Sequence, residues 1–357
     1  MPSNHSTCDR TAPDAAGVMR RIHRAASVLL MSLALMLAGS LPAQAQTAQE
    51  TSAGNDDLAP PQMIPLSVML DWYVNPVHAP LIIAKQRGLF AKRGLDVDIQ
   101  TPADPSVPPK LVAAGRIDLA LSYQPQLHLQ VDQGLPIVRV GTLIATPLNA
   151  LMVRADSGIS NLSQLKGKKV GYSVGGVEEV LLGAMLEHSG LSLDDVEMVN
   201  VNFSLTPALI SEKVDAVTGA FRNFEPAQMQ QEGVKGKAFY IEEEGVPTYD
   251  ELIFVANRDT LDQHRDAYRR FMDAIGEATS WIINHPDDAW QQFIAYDDSL
   301  DTPLNHAAWE STLPRFALRP AALDAKRYRD FEAFLLERGA IKAQSPVSRL
   351  AVDLDNP

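Results

Sequence analysis

Lys169-Val170-Gly171-Tyr172-Ser173-Val174-Gly175-Gly176-Val177-Glu178-Glu179 passes from a short β-prone run through a glycine turn into an amphipathic segment that ends near Ser189. The pattern predicts a strand over 169–172 and a helix over 178–189. The turn has neither the Gly-x-Gly-x-x-Gly spacing nor the Lys-Ser/Thr ending of the nucleotide loops. It is either a plain strand-to-helix turn or a helix N-terminus aimed at a polar ligand group, which makes Gly176 and Glu179 candidates for ligand binding. Glu178 and Glu179 both favour the helix macrodipole, and that cause alone suffices for one of them.

Outward from this unit, β-like runs alternate with amphipathic segments between residues 64 and 256. Such alternation indicates an α/β architecture with mainly parallel strands. Beyond Arg258 the pattern is helical only, over 260–284, 286–296, 303–313 and 321–337. Pro286, Pro303 and Pro320 are expected in first turns, where a missing N–H is harmless. The α/β block over 151–252 reads as a second lobe inserted between two parts of the first, 64–150 and the helical 253–341. Residues 342–357 read as a polar tail. Two crossings between lobes make a hinge, and a cleft between hinged lobes suits a small ligand.

The chain has 357 residues, 46% hydrophobic and 21% charged, which is ordinary globular composition. Its 31 Lys+Arg against 44 Asp+Glu give a net charge of −13, which argues against nucleic acid as a partner. Arg20, Arg21 and Arg24 precede an apolar run from Ala25 to Gly39 that ends at the small-x-small site before Gln46. Residues 1–45 therefore read as a signal peptide cut after Ala45, and 46–63 as a flexible leader, so a periplasmic location is expected. The cut would remove Arg10, Arg20, Arg21 and Arg24 but only Asp9 and Asp14, deepening the negative charge. It would also remove Cys8, the single cysteine. No disulfide or thiolate metal site can then form.

Three loops that follow predicted strands carry the candidate chemistry, because ligands of open α/β sheets collect at strand carboxyl ends. Leu70-Asp71-Trp72-Tyr73-Val74-Asn75-Pro76-Val77-His78 combines a stacking face with polar heads. Trp72 either covers a planar heterocycle or packs in the core, and His78 either meets the ligand or serves the structure. Ser122-Tyr123-Gln124-Pro125-Gln126 and Phe221-Arg222-Asn223-Phe224-Glu225-Pro226 are the other two. Glu225 is the strongest candidate. A buried carboxylate can accept from an exocyclic amine, although a solvated helix-start acid has the same local sequence. Histidines 128, 188, 264, 285 and 306 lack metal-ligand spacing, and no Gly-x-Ser-x-Gly elbow occurs, so neither a metal site nor catalysis is indicated.

At these residues the chain resembles the thiamine-pyrimidine family: binding proteins of ABC importers for formylaminopyrimidine or hydroxymethylpyrimidine, and the related pyrimidine synthases. The 70–78 loop, Ala84 to Phe90, Gly94 to Val97, Gly115 to Asp118, Ser122 to Pro125, Leu165 to Tyr172 and Phe221 to Glu225 carry the resemblance. It implies a type II periplasmic-binding-protein fold, with two α/β lobes, a two-crossing hinge and C-terminal helices. Carried over by position, Trp72 stacks on the pyrimidine, Asn75 and His78 line the entrance, Tyr123 forms an opposing wall, and Asn223 and Glu225 read the amine edge. Ser122 and Gln126 stand where the synthases place a cofactor-bearing lysine and a histidine that is consumed. The resemblance therefore implies a monomeric, cofactor-free delivery protein with an inner-membrane permease as partner. A sulfonate, nitrate or riboflavin-like ligand, a synthase, and a membrane-docking sensor remain as alternatives.

Overall fold

A computed structural model describes residues 63–355. The expected signal peptide, its cleavage site and nearly all of the leader lie outside the described residues. The strands are β1 Ile64–Met69, β2 Leu95–Gln100, β3 Leu119–Ser122, β4 Ile137–Ile144, β5 Asn149–Arg154, β6 Lys169–Tyr172, β7 Glu197–Asn200, β8 Ala216–Phe221, β9 Gly236–Tyr240 and β10 Leu252–Asn257. The helices are α1 Ala79–Gln86, α2 Pro108–Ala113, α3 Gln124–Asp132, α4 Val177–His188, α5 Leu205–Ile210, α6 Glu225–Gln231, α7 Leu261–Asn284, α8 Pro286–Ile294, α9 Pro303–Thr312, α10 Ala325–Glu337 and α11 Val347–Leu350. Among the described residues no helix is long and apolar enough to cross a membrane.

The central strands are continuous apolar runs, as expected when helices cover both faces of a sheet. Every residue of β4 is buried. One sheet has the order β2-β1-β3-β10-β4 and the other β7-β6-β8-β5-β9. The chain leaves the first sheet after β4 and returns at β10, so it crosses between the two α/β lobes at 145–148 and again at 241–251. The expectation of mainly parallel strands needs correction. β1 pairs in parallel with β2 and β3, and β6 with β7 and β8, but β10 and β5 each pair antiparallel with both neighbours. A chain that crosses into a new lobe and later returns brings each crossing strand in against the prevailing direction.

Helix α7 repeats its apolar residues at helical spacing, and Ala267, Phe271, Ala274, Ile275, Ala278 and Ile282 are buried. It packs on α1 and β2 in the first lobe, with Phe271 stacked on Phe90 at 5.0 Å between ring centres. Helix α10 does not stay on the first lobe. Its Tyr328 joins Leu127, Val131 and Ile253, whereas Phe331, Phe334 and Leu335 join Leu151, Leu181, Leu182 and Phe239 of the second lobe. This helix is therefore a third link between the lobes. Inside it, Glu332 accepts from His128 Nδ1 at 2.8 Å, and burial lowers the His128 pKa, favouring the neutral ring.

Two further expectations change. Pro320 lies ahead of α10, whose N-cap is Asp324, with Oδ1 accepting from the N–H groups of Lys326 and Arg327. Pro320 instead presents its carbonyl to Thr142 N and to Arg139. The segment read as a polar tail forms α11, and Leu350, Ala351 and Leu354 are buried. Arg139, fully buried on β4, donates to the carbonyls of Pro320, Ala321, Ala322 and Val352, which fastens this segment to the first sheet.

Candidate functional site

The loop after β1 is built by its own polar groups. Asn75 caps a short 3-10 turn, accepting from Val77 N at 3.1 Å, and its own N–H donates to His78 Nδ1 at 3.1 Å. Because Nδ1 accepts, the ring proton sits on Nε2, which donates to Asp71 Oδ1 at 3.0 Å. The other Asp71 oxygen accepts from the Tyr123 hydroxyl at 3.0 Å. His78 and Tyr123 thus hold Asp71 between them, and burial beside this charge keeps the Tyr123 phenol protonated.

From the second lobe, the turn between β6 and α4 brings in Glu178, whose Oε2 accepts from Ser173 N at 2.7 Å. Glu178 packs over Gly219, which has φ +83°, and a Cβ on that glycine would lie 2.7 Å from Glu178 Cδ. Asn149, at the start of β5, accepts from Gly219 N at 3.2 Å. At the start of α6, Glu225 Oε2 accepts from Phe221 N at 2.6 Å. Glu251 lies just ahead of β10. Its Oε2 accepts from Leu148 N at 2.6 Å, Asn149 N at 2.8 Å and Tyr249 Oη at 3.2 Å, so one carboxylate ties both lobe crossings together.

These groups surround one cavity with about 660 Å³ of atom-free space, including its opening to solvent. Aromatic rings close it from both sides. Trp72 meets Phe203 edge-on at 4.5 Å, Tyr73 meets Phe224 at 6.2 Å, and Tyr123 meets Phe221 at 6.4 Å. Each pair joins the first lobe to the second, so aromatic contacts bridge the cleft beside the cavity. Four acids line it, Asp71, Glu178, Glu225 and Glu251, and no lysine, arginine or histidine does so among the described residues. Burial pushes Glu178 up to about 8 and Glu225 and Glu251 up to about 7.

A family model described as NMT1/THI5 like matches residues 75–289. The chain belongs to the NMT1/THI5-like family. A Haemophilus influenzae relative named as a thiamine biosynthesis protein is 51% identical over 291 residues, spanning 81% of this chain and 92% of its own length. The formylaminopyrimidine-binding protein of Halalkalibacterium halodurans is 35% identical over 264 residues, 74% of this chain and 79% of its own. A Saccharomyces cerevisiae hydroxymethylpyrimidine phosphate synthase is 25% identical over 271 residues, 71% and 77% of the two chains. The periplasmic-binding-protein fold is shared with an alkanesulfonate-binding protein of Xanthomonas axonopodis, at TM-score 0.64 and 16% identity over 82% of this chain and 99% of that one. A nitrate-binding protein of Synechocystis gives TM-score 0.64 and 15% identity, with 83% and 88% covered.

Within this family member, Trp72, Asn75, Tyr123 and Glu225 line the same cavity. The other four candidates do not line it. His78 is fully buried behind Asp71. Glu179 turns back to accept from Gly176 N, closing the start of α4 on itself. Asn223 donates to Thr312 Oγ1 at 2.7 Å on α9, and its buried Oδ1 has no hydrogen-bond partner. Arg222, beside it, pairs with Glu242 and donates to the carbonyls of Leu148 and Asn149. Asp71, Asn149, Glu178 and Glu251 line the cavity without having been singled out from sequence as ligand residues.

Proposed function

We propose that this chain is a non-catalytic, exported binding protein that closes on an aminopyrimidine of the thiamine pathway and delivers it to an inner-membrane ABC permease from the periplasm. Substrate binding is the role that the fold and the relatives support. The observation that carries the ligand is Glu225. One of its oxygens is fixed by Phe221 N–H, and the buried side chain lines an aromatic-walled cavity. A buried carboxylate there fits the adjacent amine and ring nitrogen of an aminopyrimidine, and leaving it unpaired with other ligands is costly. Trp72, Phe221 and Tyr123 supply flat walls for the ring. Asn75 contributes by fixing the turn that carries Trp72.

A synthase reading meets the wrong side chains. Ser122 donates to Gln126 Oε1 at 3.0 Å, both buried, at the positions where the resemblance places the cofactor-bearing lysine and the consumed histidine. Neither side chain offers an amine for an imine, and among the described residues no lysine lines the cavity.

Isothermal titration with hydroxymethyl-, aminomethyl- and formylaminomethyl-pyrimidines tests the proposal. One-to-one binding is expected, and Glu225→Gln should weaken it roughly ten- to hundredfold, the worth of a charge-assisted hydrogen bond. Binding of an alkylsulfonate or a flavin with no response to any pyrimidine would sink the ligand assignment.

A further inference from the structure

The cavity contains more acid than an aminopyrimidine edge requires. Glu225 answers that edge from the start of α6, and its charge reaches Tyr73 on the same side. A second group of acids gathers around the Tyr123 hydroxyl, which feels the charges of Asp71, Glu178 and Glu251. Glu178 and Glu251 are 5% and 2% exposed. In each, Oε2 takes main-chain N–H groups from its own surroundings; Glu178 also draws on the Val174 N–H, and among the described residues no hydrogen bond reaches Glu251 Oε1. No cation of the protein lines the cavity among the described residues. Arg222, the nearest basic group acting on Glu251, is committed to Glu242 and to two carbonyls.

Two buried carboxylates in a cavity that no basic side chain lines among the described residues are a site for a positively charged donor. Resting on the aminopyrimidine reading, we infer that Glu178 and Glu251 select a ligand whose second substituent is a primary ammonium, so that the aminomethyl form is preferred over the neutral hydroxymethyl and formylated forms. Glu225 and the Glu178–Glu251 pair then grip the two basic groups of one dibasic molecule. Burial favours protons on both acids, and a bound ammonium displaces them. The groups that face this pair are Asp71 and Tyr123 from the first lobe, Glu179 from α4, and Tyr249, Glu242 and Arg222 from the side of the second crossing.

The purified full chain is titrated at pH 7.5 with the three pyrimidines, each in two buffers of different ionisation heat. The aminomethyl compound should bind at least tenfold more tightly than either neutral compound and release protons that they do not. Glu178→Gln keeps an acceptor for Ser173 N and should reduce the preference for the aminomethyl compound at least fivefold. Should the variant misfold, the wild-type affinities and proton counts still decide. Neutral compounds binding as tightly as the amine overturn this inference and leave the pyrimidine reading in place. Binding of none of the three overturns both.

Discussion

Gly219 has no room for a single added methyl group. Its φ of +83° belongs to a backbone region that alanine enters at a cost of about 1–2 kcal/mol. The new Cβ would stand 2.7 Å from Glu178 Cδ and overlap Oε1, so the carboxylate must swing away and release Ser173 N. A buried N–H left without its acceptor costs about 1–3 kcal/mol more. Gly219→Ala should therefore lower unfolding stability by about 2–5 kcal/mol, less than the 5–15 kcal/mol typical of a folded domain. Equilibrium urea unfolding reads this as a lower midpoint at unchanged slope. In a Glu178→Ala background the overlap is absent and only the backbone cost, about 1–2 kcal/mol, should remain. The two substitutions must then be non-additive by at least about 1 kcal/mol. Full additivity, or a cost below about 0.5 kcal/mol for the single change, would refute the packing of Glu178 on Gly219.

Glu178, Glu225 and Glu251 have raised pKa values, so between pH 4.5 and about 8 the folded state holds protons that the unfolded chain has lost. Their contribution is complete below pH 4.5 and disappears as pH rises through 7 and 8, so ligand-free stability should fall by about 1–3 kcal/mol from pH 6.5 to 8. His128, with a lowered pKa, acts in the opposite sense only below its ordinary 6.5, and a urea midpoint that rises across pH 6.5–8 would contradict the burial of the three acids. His78→Ala removes the acceptor of Asn75 N and a donor to Asp71, and should cost about 2–4 kcal/mol of stability, together with weaker pyrimidine binding. A loss under about 0.5 kcal/mol in thermal or urea unfolding would remove its structural role. Asn223→Ala should leave affinity within threefold of wild type, because its amide serves Thr312; a tenfold loss by titration would return it to the ligand.

The positions of the strands were readable in the sequence, but their directions were not. A run buried on both faces, such as β4, looks the same whichever way it points. That blindness extended to the site. Residues after β1, β3 and β8 were found because they follow parallel strands. Asn149 opens β5 and Glu251 precedes β10, strands whose antiparallel pairing brings their starts to the same edge. Asn149 lies opposite Phe221, and Ile253 opposite Ser122. Glu178 and Glu179 differ by one step of about 100° around a helix, and only the structure decides which of them enters the cavity. Asn223 and His78 are polar residues in the right loops whose partners lie behind the cavity wall. The docked segment after residue 341 escaped notice because its anchors, Leu350, Ala351 and Leu354, are few and widely spaced among polar neighbours.

The Arg139 clamp bears on the order in which the molecule can assemble. Its guanidinium lies on β4, yet the carbonyls that satisfy it belong to residues 320–322 and 352, and β4 is joined to β3 only through the late strand β10. Until residues 320–352 have been made, a first lobe built from residues 64–144 alone would have to bury a bare cation beside an unpaired strand edge. Completion of the first lobe therefore waits for residues about 180 to 210 positions further along the chain, and long-range closure of this kind is slow.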